Sequence, residues 1–248
     1  GALPALMVVF TMKYLREPEP WLAAKAEGRL PQGNIFAPYR DLLRDSRWRK
    51  NLIVGALISS AGVIGLWAIA EYAIDLQTKV FREHFLSEKL PEAEIPQAIN
   101  SAKATAYTLQ MIGAAVGMWF MTKACIVLGR KPAFAIWYTG AFLVTLFTYW
   151  VMSSPLQAYI LMPLMWFFQL GVFAGFAIYL PELFPSSMRS TGTSFCYNLG
   201  RFAAAGGSFF SAKLATDLYA SDVPGLQERY AAMTMCAIFL IALFTLPF

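Results

Sequence analysis

Uninterrupted apolar stretches of about 20 residues, separated by short polar segments, dominate this sequence. A helix needs about 20 mostly apolar residues to cross the hydrocarbon core of a bilayer, and six stretches reach that length. The six predicted spans cover residues 51–76, 104–128, 133–152, 156–180, 191–214 and 230–248. We therefore predict an all-α polytopic membrane protein with a six-transmembrane-helix bundle over residues 51–248.

The composition agrees with this prediction and argues against other classes of protein. The chain is 58% hydrophobic and 14% charged, whereas an average soluble protein is about 45–50% apolar and about 25% charged. A disordered chain, a nucleic-acid-binding module and an ordinary soluble domain are therefore disfavoured. Residues 1–12 are apolar but too short to span, and residue 1 is not Met. We expect them to be the end of a further membrane helix in a longer protein.

The basic residues predict how the chain is oriented in the membrane. Residues 13–50 form a polar connection, with a short surface helix predicted near 39–47. With residues 123–131 and Arg189 they carry thirteen Lys or Arg on one side of the membrane. The other side carries six, namely Lys79, Arg82, Lys89, Lys103, Lys213 and Arg229. Because loops rich in Lys and Arg stay in the cytoplasm, we place residues 13–50 there, in a multi-pass plasma (cell inner) membrane protein.

The sequence offers little chemistry for an enzyme, a metal site or a cofactor site. Its three cysteines lie in apolar stretches without a Cys-x-x-Cys pair, which argues against a disulfide framework or a zinc site. The single histidine, His84, cannot build a metal cluster alone. Phosphate-binding loops and nucleophile-elbow motifs are absent from the sequence. We predict no metal, no cofactor, no nucleic-acid partner and no enzymatic activity.

Small residues recur four apart within the predicted spans. Gly113 and Gly117 form one such pair, and Gly171 and Gly175 form another. Residues four apart share a helix face, and small side chains there allow close helix–helix approach in lipid. We therefore predict a tightly packed bundle.

Three segments carry a family resemblance. Residues 128–132, Leu-Gly-Arg-Lys-Pro, resemble the Gly-Arg-Lys loop motif of the major facilitator superfamily. Residues 179–192, Tyr-Leu-Pro-Glu-Leu-Phe-Pro-Ser-Ser-Met-Arg-Ser-Thr-Gly, are more specific. Followed by Tyr-Asn-x-Gly-Arg at 197–201, they resemble the connection after helix ten in the sugar and metabolite:proton symporters of that superfamily. Residues 16–21, Arg-Glu-Pro-Glu-Pro-Trp, resemble the end of helix six entering the central loop.

This resemblance implies that the chain is the C-terminal half of a transporter. Residues 1–12 would end transmembrane helix six, residues 13–50 would form the central cytoplasmic loop, and residues 51–248 would form helices seven to twelve. The implied activity is secondary transport of a small organic solute, an organic anion, metabolite or sugar, by alternating access with proton-coupled symport. The implied partners are the solute, protons, the lipid bilayer and the N-terminal six-helix half. A non-transporting nutrient sensor or receptor and a facilitated-diffusion uniporter are the alternatives.

Two carboxylates in the first full span are candidates for proton coupling. Glu71 and Asp75 are four residues apart and share a helix face. Ionisable residues inside a span are costly, which makes them functional candidates. The alternative is that the span ends near Ala70 and that both acids lie at its solvated end.

The remaining charged candidates follow from the resemblance. It implies a cytoplasmic gate in which Arg130, Glu182 and Arg189 form an inter-helix charge network, although Arg130 could also serve only as a positive-inside residue. Arg201 lies deeper in its span. It is either an anchor for a substrate carboxylate, because its guanidinium is a planar fork, or an internal structural partner. The resemblance favours a packing and gating role for Arg201.

Neutral polar and aromatic residues inside the spans are candidates for substrate binding. Such side chains can hydrogen-bond to a small polar solute or stack against it. The alternative for each is a hydrogen bond between helices. The candidates are Gln110, Trp166, Gln169, Tyr197 and Asn198.

Overall fold

A computed structural model describes residues 8, 14, 19–28, 37–221, 223 and 225–247, which form helices joined by short connections. In chain order the helices are α1 (Glu19–Ala26), α2 (Ala37–Arg44), α3 (Ser46–Ser87), α4 (Ile95–Val127), α5 (Arg130–Val151), α6 (Pro155–Glu182), α7 (Arg189–Lys213), α8 (Leu226–Met235) and α9 (Ile238–Thr245). The predicted helix end over residues 1–12 and most of the connection before residue 37 lie outside the described residues.

Five segments of the described chain are long and apolar enough to cross a membrane. They are α3, α4, α5, α6 and the consecutive pair α8–α9. The remaining predicted span, residues 191–214, corresponds to α7, which has 25 residues but a more polar sequence. At 1.5 Å per residue α7 is about 38 Å long, enough to cross a hydrocarbon core of about 30 Å. The all-α membrane fold is confirmed, and α7 is distinguished within it by its polarity.

Helix ends follow local capping chemistry. Asp45 caps α3, because its side chain accepts a hydrogen bond from the backbone N–H of Arg47 at 2.8 Å. Ser154 caps α6 in a capping box with Gln157, which explains the minimal turn between α5 and α6. Gly129 precedes α5 with φ of +89°, a left-handed conformation that a side chain would strain. The chain therefore reverses direction sharply from α4 into α5.

The first full span is longer than its apolar stretch. The prediction ended it at residue 76, whereas α3 continues as a helix to Ser87. Its last turns carry charged side chains such as Arg82 and Glu83, which do not interrupt a helix that leaves the apolar layer. A π-helical turn, Gly65–Ile69, interrupts the regular α3 geometry. The Tyr149 hydroxyl of α5 donates to the Ile69 carbonyl at 2.5 Å, so α5 holds this turn in place.

Glycines set the distance between α4 and α6. A methyl group on Gly113 would overlap the backbone carbonyl of Pro163, and one on Gly117 would overlap that of Phe167. On the same face of α6, Gly171 packs against the Trp137 ring of α5 and approaches the Gly117 carbonyl of α4. The predicted close approach at these glycines is therefore confirmed.

Buried polar contacts join α3 to α5 and to α7. Ser59 of α3 donates to the Cys196 carbonyl of α7 at 2.8 Å, and Tyr138 of α5 donates to the Ile58 carbonyl of α3 at 2.5 Å. The three cysteines, Cys125, Cys196 and Cys236, are buried free thiols. The core is thus continuous from α3 through α5 and α6 to α7.

Candidate functional site

The arginine that begins α5 joins the ends of three helices. Arg130 forms a bidentate ion pair with Glu182, the last residue of α6, through Nε–Oε2 at 2.9 Å and Nη2–Oε1 at 2.6 Å. Its Nη1 also donates to the Cys125 carbonyl near the end of α4 at 3.0 Å. Bidentate guanidinium–carboxylate pairs fix orientation as well as distance. Arg130 therefore sets the relative positions of α4, α5 and α6 at this end of the bundle.

Arg189 adds a further positive charge to this end. It is the first residue of α7, is exposed, and acts electrostatically on Glu182. Among the described residues it forms no ion pair with Glu182 within 4.0 Å. Arg130, Glu182 and Arg189 are here called the rim cluster. Arg130 and Glu182 are paired, and Arg189 lies beside them on the next helix.

Arg201 lies apart from the rim cluster. It follows Arg189 by twelve residues along α7, which corresponds to about 18 Å. Its side chain is exposed and forms no hydrogen bond or ion pair with any described residue. The internal structural partner considered as the alternative is therefore not found in the described part of the chain.

A polar groove lies along the first part of α7, from Arg189 to Asn198. It has a volume of about 550 Å³ and is lined by Arg189, Ser190, Thr193, Ser194, Tyr197 and Asn198 together with Pro181 and Ser186. Two of the predicted substrate-binding residues therefore lie side by side in it. We call it the α7 groove.

The two predicted residues of the α7 groove differ in their surroundings. Asn198 is exposed, and its Nδ2 donates to the Ser194 carbonyl at 2.9 Å. Tyr197 is half-buried, and its ring meets that of Phe173 edge-on at 6.3 Å between centroids. A polar exposed face on a helix that crosses a membrane suits contact with water or with polar protein surface better than contact with lipid.

The other predicted binding residues lie inside the helix bundle, away from the α7 groove. Gln169 of α6 is 2% exposed, and its Nε2 donates to the Thr145 hydroxyl of α5 at 2.9 Å. Gln110 is buried in α4, and Trp166 is half-buried in α6. Gln169 Oε1 and Trp166 Nε1 have no hydrogen-bond partner among the described residues. Gln169 thus forms a hydrogen bond between helices α6 and α5, which was the alternative to a role in substrate binding.

The two acids of α3 are carried by a continuous helix. Asp75 is exposed, and the side chain of Glu71 lies outside what the structure describes. Because α3 runs on to Ser87, neither residue lies at a helix end. Within the described residues, no group of three or more His, Cys, Asp or Glu side chains is arranged to hold a metal ion.

The opposite end of the bundle carries a charge cluster that the sequence reasoning missed. Lys79 of α3 pairs with the buried carboxylate of Glu228 in α8 at 2.5 Å. Next to it, Arg229 donates to the Tyr149 carbonyl at 2.7 Å and to the Met152 carbonyl. The sequence places Lys79, Glu228 and Arg229 in the polar segments between the predicted spans. Lys79 and Glu228 are 149 positions apart, so no local spacing signals their pairing.

Known proteins similar to this chain bear on its resemblance to the major facilitator superfamily. Neither a family model nor a solved structure matches the chain. A Cupriavidus pinatubonensis protein named "Probable 4-methylmuconolactone transporter" is 25% identical over 225 residues, which is 91% of this chain and 47% of that protein. A Haemophilus influenzae protein named "Putative metabolite transport protein" is 22% identical over 206 residues, which is 81% of this chain and 46% of that protein. The resemblance to a major facilitator superfamily transporter is confirmed.

This transporter-like chain spans about half the length of the curated relatives it matches. The relatives support a transport function in general. With the five long apolar helices, they support a multi-pass membrane protein. Both relatives are named as transporters rather than enzymes, which fits the prediction that the chain is not an enzyme.

Proposed function

We propose that the chain is the C-terminal half of a secondary transporter that moves a small organic solute by alternating access. The observation that carries this proposal is the α7 groove, a polar exposed face on a helix within an otherwise apolar bundle. An arginine inside a span costs about 2.5–3.5 kcal/mol on insertion scales. Arg201 is therefore best accommodated where α7 faces a water-filled cavity between two halves of the protein.

The charge of the α7 face favours an organic anion over a sugar. Arg189 and Arg201 lie twelve residues apart on α7, and no acid occurs between them. Arginine presents a planar fork of donors that matches a carboxylate. The names of the relatives, a 4-methylmuconolactone transporter and a metabolite transport protein, support a small metabolite. In this proposal Arg201 contacts the solute, and Tyr197 and Asn198 line its path.

The rim cluster serves as the cytoplasmic gate in this proposal. The bidentate pair of Arg130 and Glu182 holds α5 and α6 together, and opening the cytoplasmic side would separate them from α7 and Arg189. The orientation, with residues 13–50 in the cytoplasm and the protein in the plasma membrane, rests on the distribution of Lys and Arg. Glu71 and Asp75 are the proposed proton-coupling carboxylates, which makes the transporter a symporter.

Transport by the full-length protein containing this chain tests the proposal. The protein is reconstituted into proteoliposomes loaded with unlabelled organic acids, lactones or sugars, and entry of the labelled solute is measured. Counterflow of one of these solutes is expected. Binding without counterflow would instead identify a sensor or receptor. An imposed pH gradient should then drive accumulation above equilibrium, whereas equilibration alone would identify a uniporter.

A further inference from the structure

A second groove lies between the start of α3 and the end of α9. It has a volume of about 640 Å³, and apolar side chains, including Ile53, Leu57, Ile241 and Phe244, form most of its exposed wall. Ile53 is 54% exposed and Phe244 is 76% exposed. In a membrane protein such an open apolar groove suits an acyl chain.

One end of this α3–α9 groove is basic. Ser46, Arg49 and Lys50 line it at the start of α3, and Arg49 forms no ion pair with any described residue. Lys131 adds a cation nearby, because its Nζ donates to the Pro247 carbonyl just beyond the end of α9 at 2.9 Å. Basic side chains at the membrane surface attract anionic lipid headgroups.

The acidic residues nearest in sequence, Asp41 and Asp45, form no ion pair with Arg49 in the described part of the chain. Asp41 and Asp45 line a separate groove with Trp48. The distance along α3 from Arg49 to Leu57 is about 12 Å. The basic end and the apolar walls are therefore arranged in the same order as the headgroup and the acyl chains of a lipid. The charge and the apolar surface therefore belong to one elongated site.

Another groove of the same size provides an internal comparison. It lies between α5 and α6, has a volume of about 630 Å³, and is lined by apolar residues such as Phe147, Trp150 and Leu164. Among the described residues, its lining includes no lysine or arginine. The two grooves thus offer similar apolar space and differ in charge.

We propose that the α3–α9 groove binds one anionic phospholipid, with the phosphate on Arg49 and Lys50 and an acyl chain between Ile53, Leu57 and Phe244. The α5–α6 groove takes up acyl chains without regard to headgroup charge. The site is independent of the transported solute. Binding there ties the start of α3 to the end of α9.

Photocrosslinking of the full-length protein in nanodiscs tests this site. Phosphatidylglycerol or phosphatidylcholine carrying a diazirine in the acyl chain is activated, and labelled peptides are mapped by mass spectrometry. With phosphatidylglycerol, labelling should concentrate on residues 53–57 and 241–244. The double variant Arg49→Gln/Lys50→Gln should reduce that labelling about tenfold or more, the loss expected for two basic residues near an anionic lipid.

Matched measurements separate the lipid site from general effects. The double variant Arg40→Gln/Arg44→Gln removes two charges from α2 and should leave labelling unchanged. Labelling of the α5–α6 groove should be equal for both lipids in every variant, which also reports correct folding. Equal labelling of the α3–α9 groove by both lipids would overturn the proposal. Protection of Ile53→Cys from a membrane-soluble maleimide in all lipids would also overturn it, because protein would then cover the groove.

Discussion

Arg201 is the strongest single-residue candidate for a functional role. It is exposed in the middle of α7, without a partner among the described residues. If it holds the carboxylate of the solute, Arg201→Gln should lower uptake of an anionic solute at least about tenfold, which corresponds to 1.4 kcal/mol. Lys213→Gln removes an exposed charge from the same helix and is the matched control. Equal initial uptake rates for the two variants would contradict the assignment of Arg201 to the solute.

The ion pair of Arg130 and Glu182 makes a separate prediction about gating. Glu182→Gln removes one side of a bidentate contact that joins α5 to α6. We expect faster labelling of Asn198→Cys in the α7 groove by a thiol reagent added from the cytoplasmic side. The charge exchange Arg130→Glu/Glu182→Arg should restore the slow rate.

An exposed acid at the other end of the bundle supplies the control for this experiment. Glu88 lies beside His84 at the end of α3, with side-chain atoms 3.4 Å apart. Glu88→Gln should not change labelling of Asn198→Cys. A gating role for the rim cluster fails if Glu88→Gln and Glu182→Gln give the same rate.

At the scale of elements, the contact between α4 and α6 depends on the absence of side chains. A methyl group at Gly117 overlaps the Phe167 carbonyl. Gly117→Ala should therefore lower the apparent melting temperature of the full-length protein, with a loss of about 1–3 kcal/mol typical of overpacking. A methyl group at Gly206 would meet no neighbouring described atom within 4 Å, so Gly206→Ala is the control. Size-exclusion chromatography after heating provides the measurement. Equal melting temperatures for Gly117→Ala and Gly206→Ala would show that α4 can shift without losing stability.

The elements also show which features the sequence could predict. Apolar length located α4, α5 and α6, and small residues four apart marked where α4 and α6 touch, because both properties are local. The extension of α3 to Ser87 was missed because a helix continues through charged residues once it has left the apolar layer. The pairing of Lys79 with Glu228 was missed because only the tertiary fold brings α3 and α8 together.

The candidate site was predictable to a different extent. The proximity of Arg130 to Glu182 came from the resemblance, since 52 positions separate the two residues. Tyr197 and Asn198 share a groove because both lie on the polar face of α7, which the sequence shows directly. Gln169 could not be assigned from the sequence, because a buried amide that bonds Thr145 and one that binds a solute have the same sequence surroundings.

At the scale of the whole molecule, coupling to protons requires a carboxylate that is accessible in both the outward-facing and the inward-facing state. Glu71 and Asp75 lie on α3 just after the π-helical turn. Glu71→Gln should abolish uptake driven by a pH gradient and spare exchange of internal for external solute. Asp75→Asn tests the second acid in the same way. Asp217→Asn, at an exposed acid beyond α7, should change neither process.

The two activities distinguish a coupling defect from a misfolded protein. Exchange requires an intact solute site and both access states, whereas gradient-driven uptake also requires the proton. Gradient-driven uptake that is unchanged in Glu71→Gln and Asp75→Asn would place the coupling residue elsewhere in the full-length protein. Loss of both activities would point to the solute site or to stability, and would contradict a specific role in coupling.

The polarity of α7 also governs how the protein is made. Each of the five more apolar segments is long and apolar enough to cross a bilayer. Helix α7 is not among these segments, and arginines within a span raise the cost of independent insertion. It contacts α3 through the Ser59 hydroxyl and follows α6 directly in the chain. We therefore expect α7 to insert together with the earlier helices, as a partner of α3 and α6, rather than as an independent span.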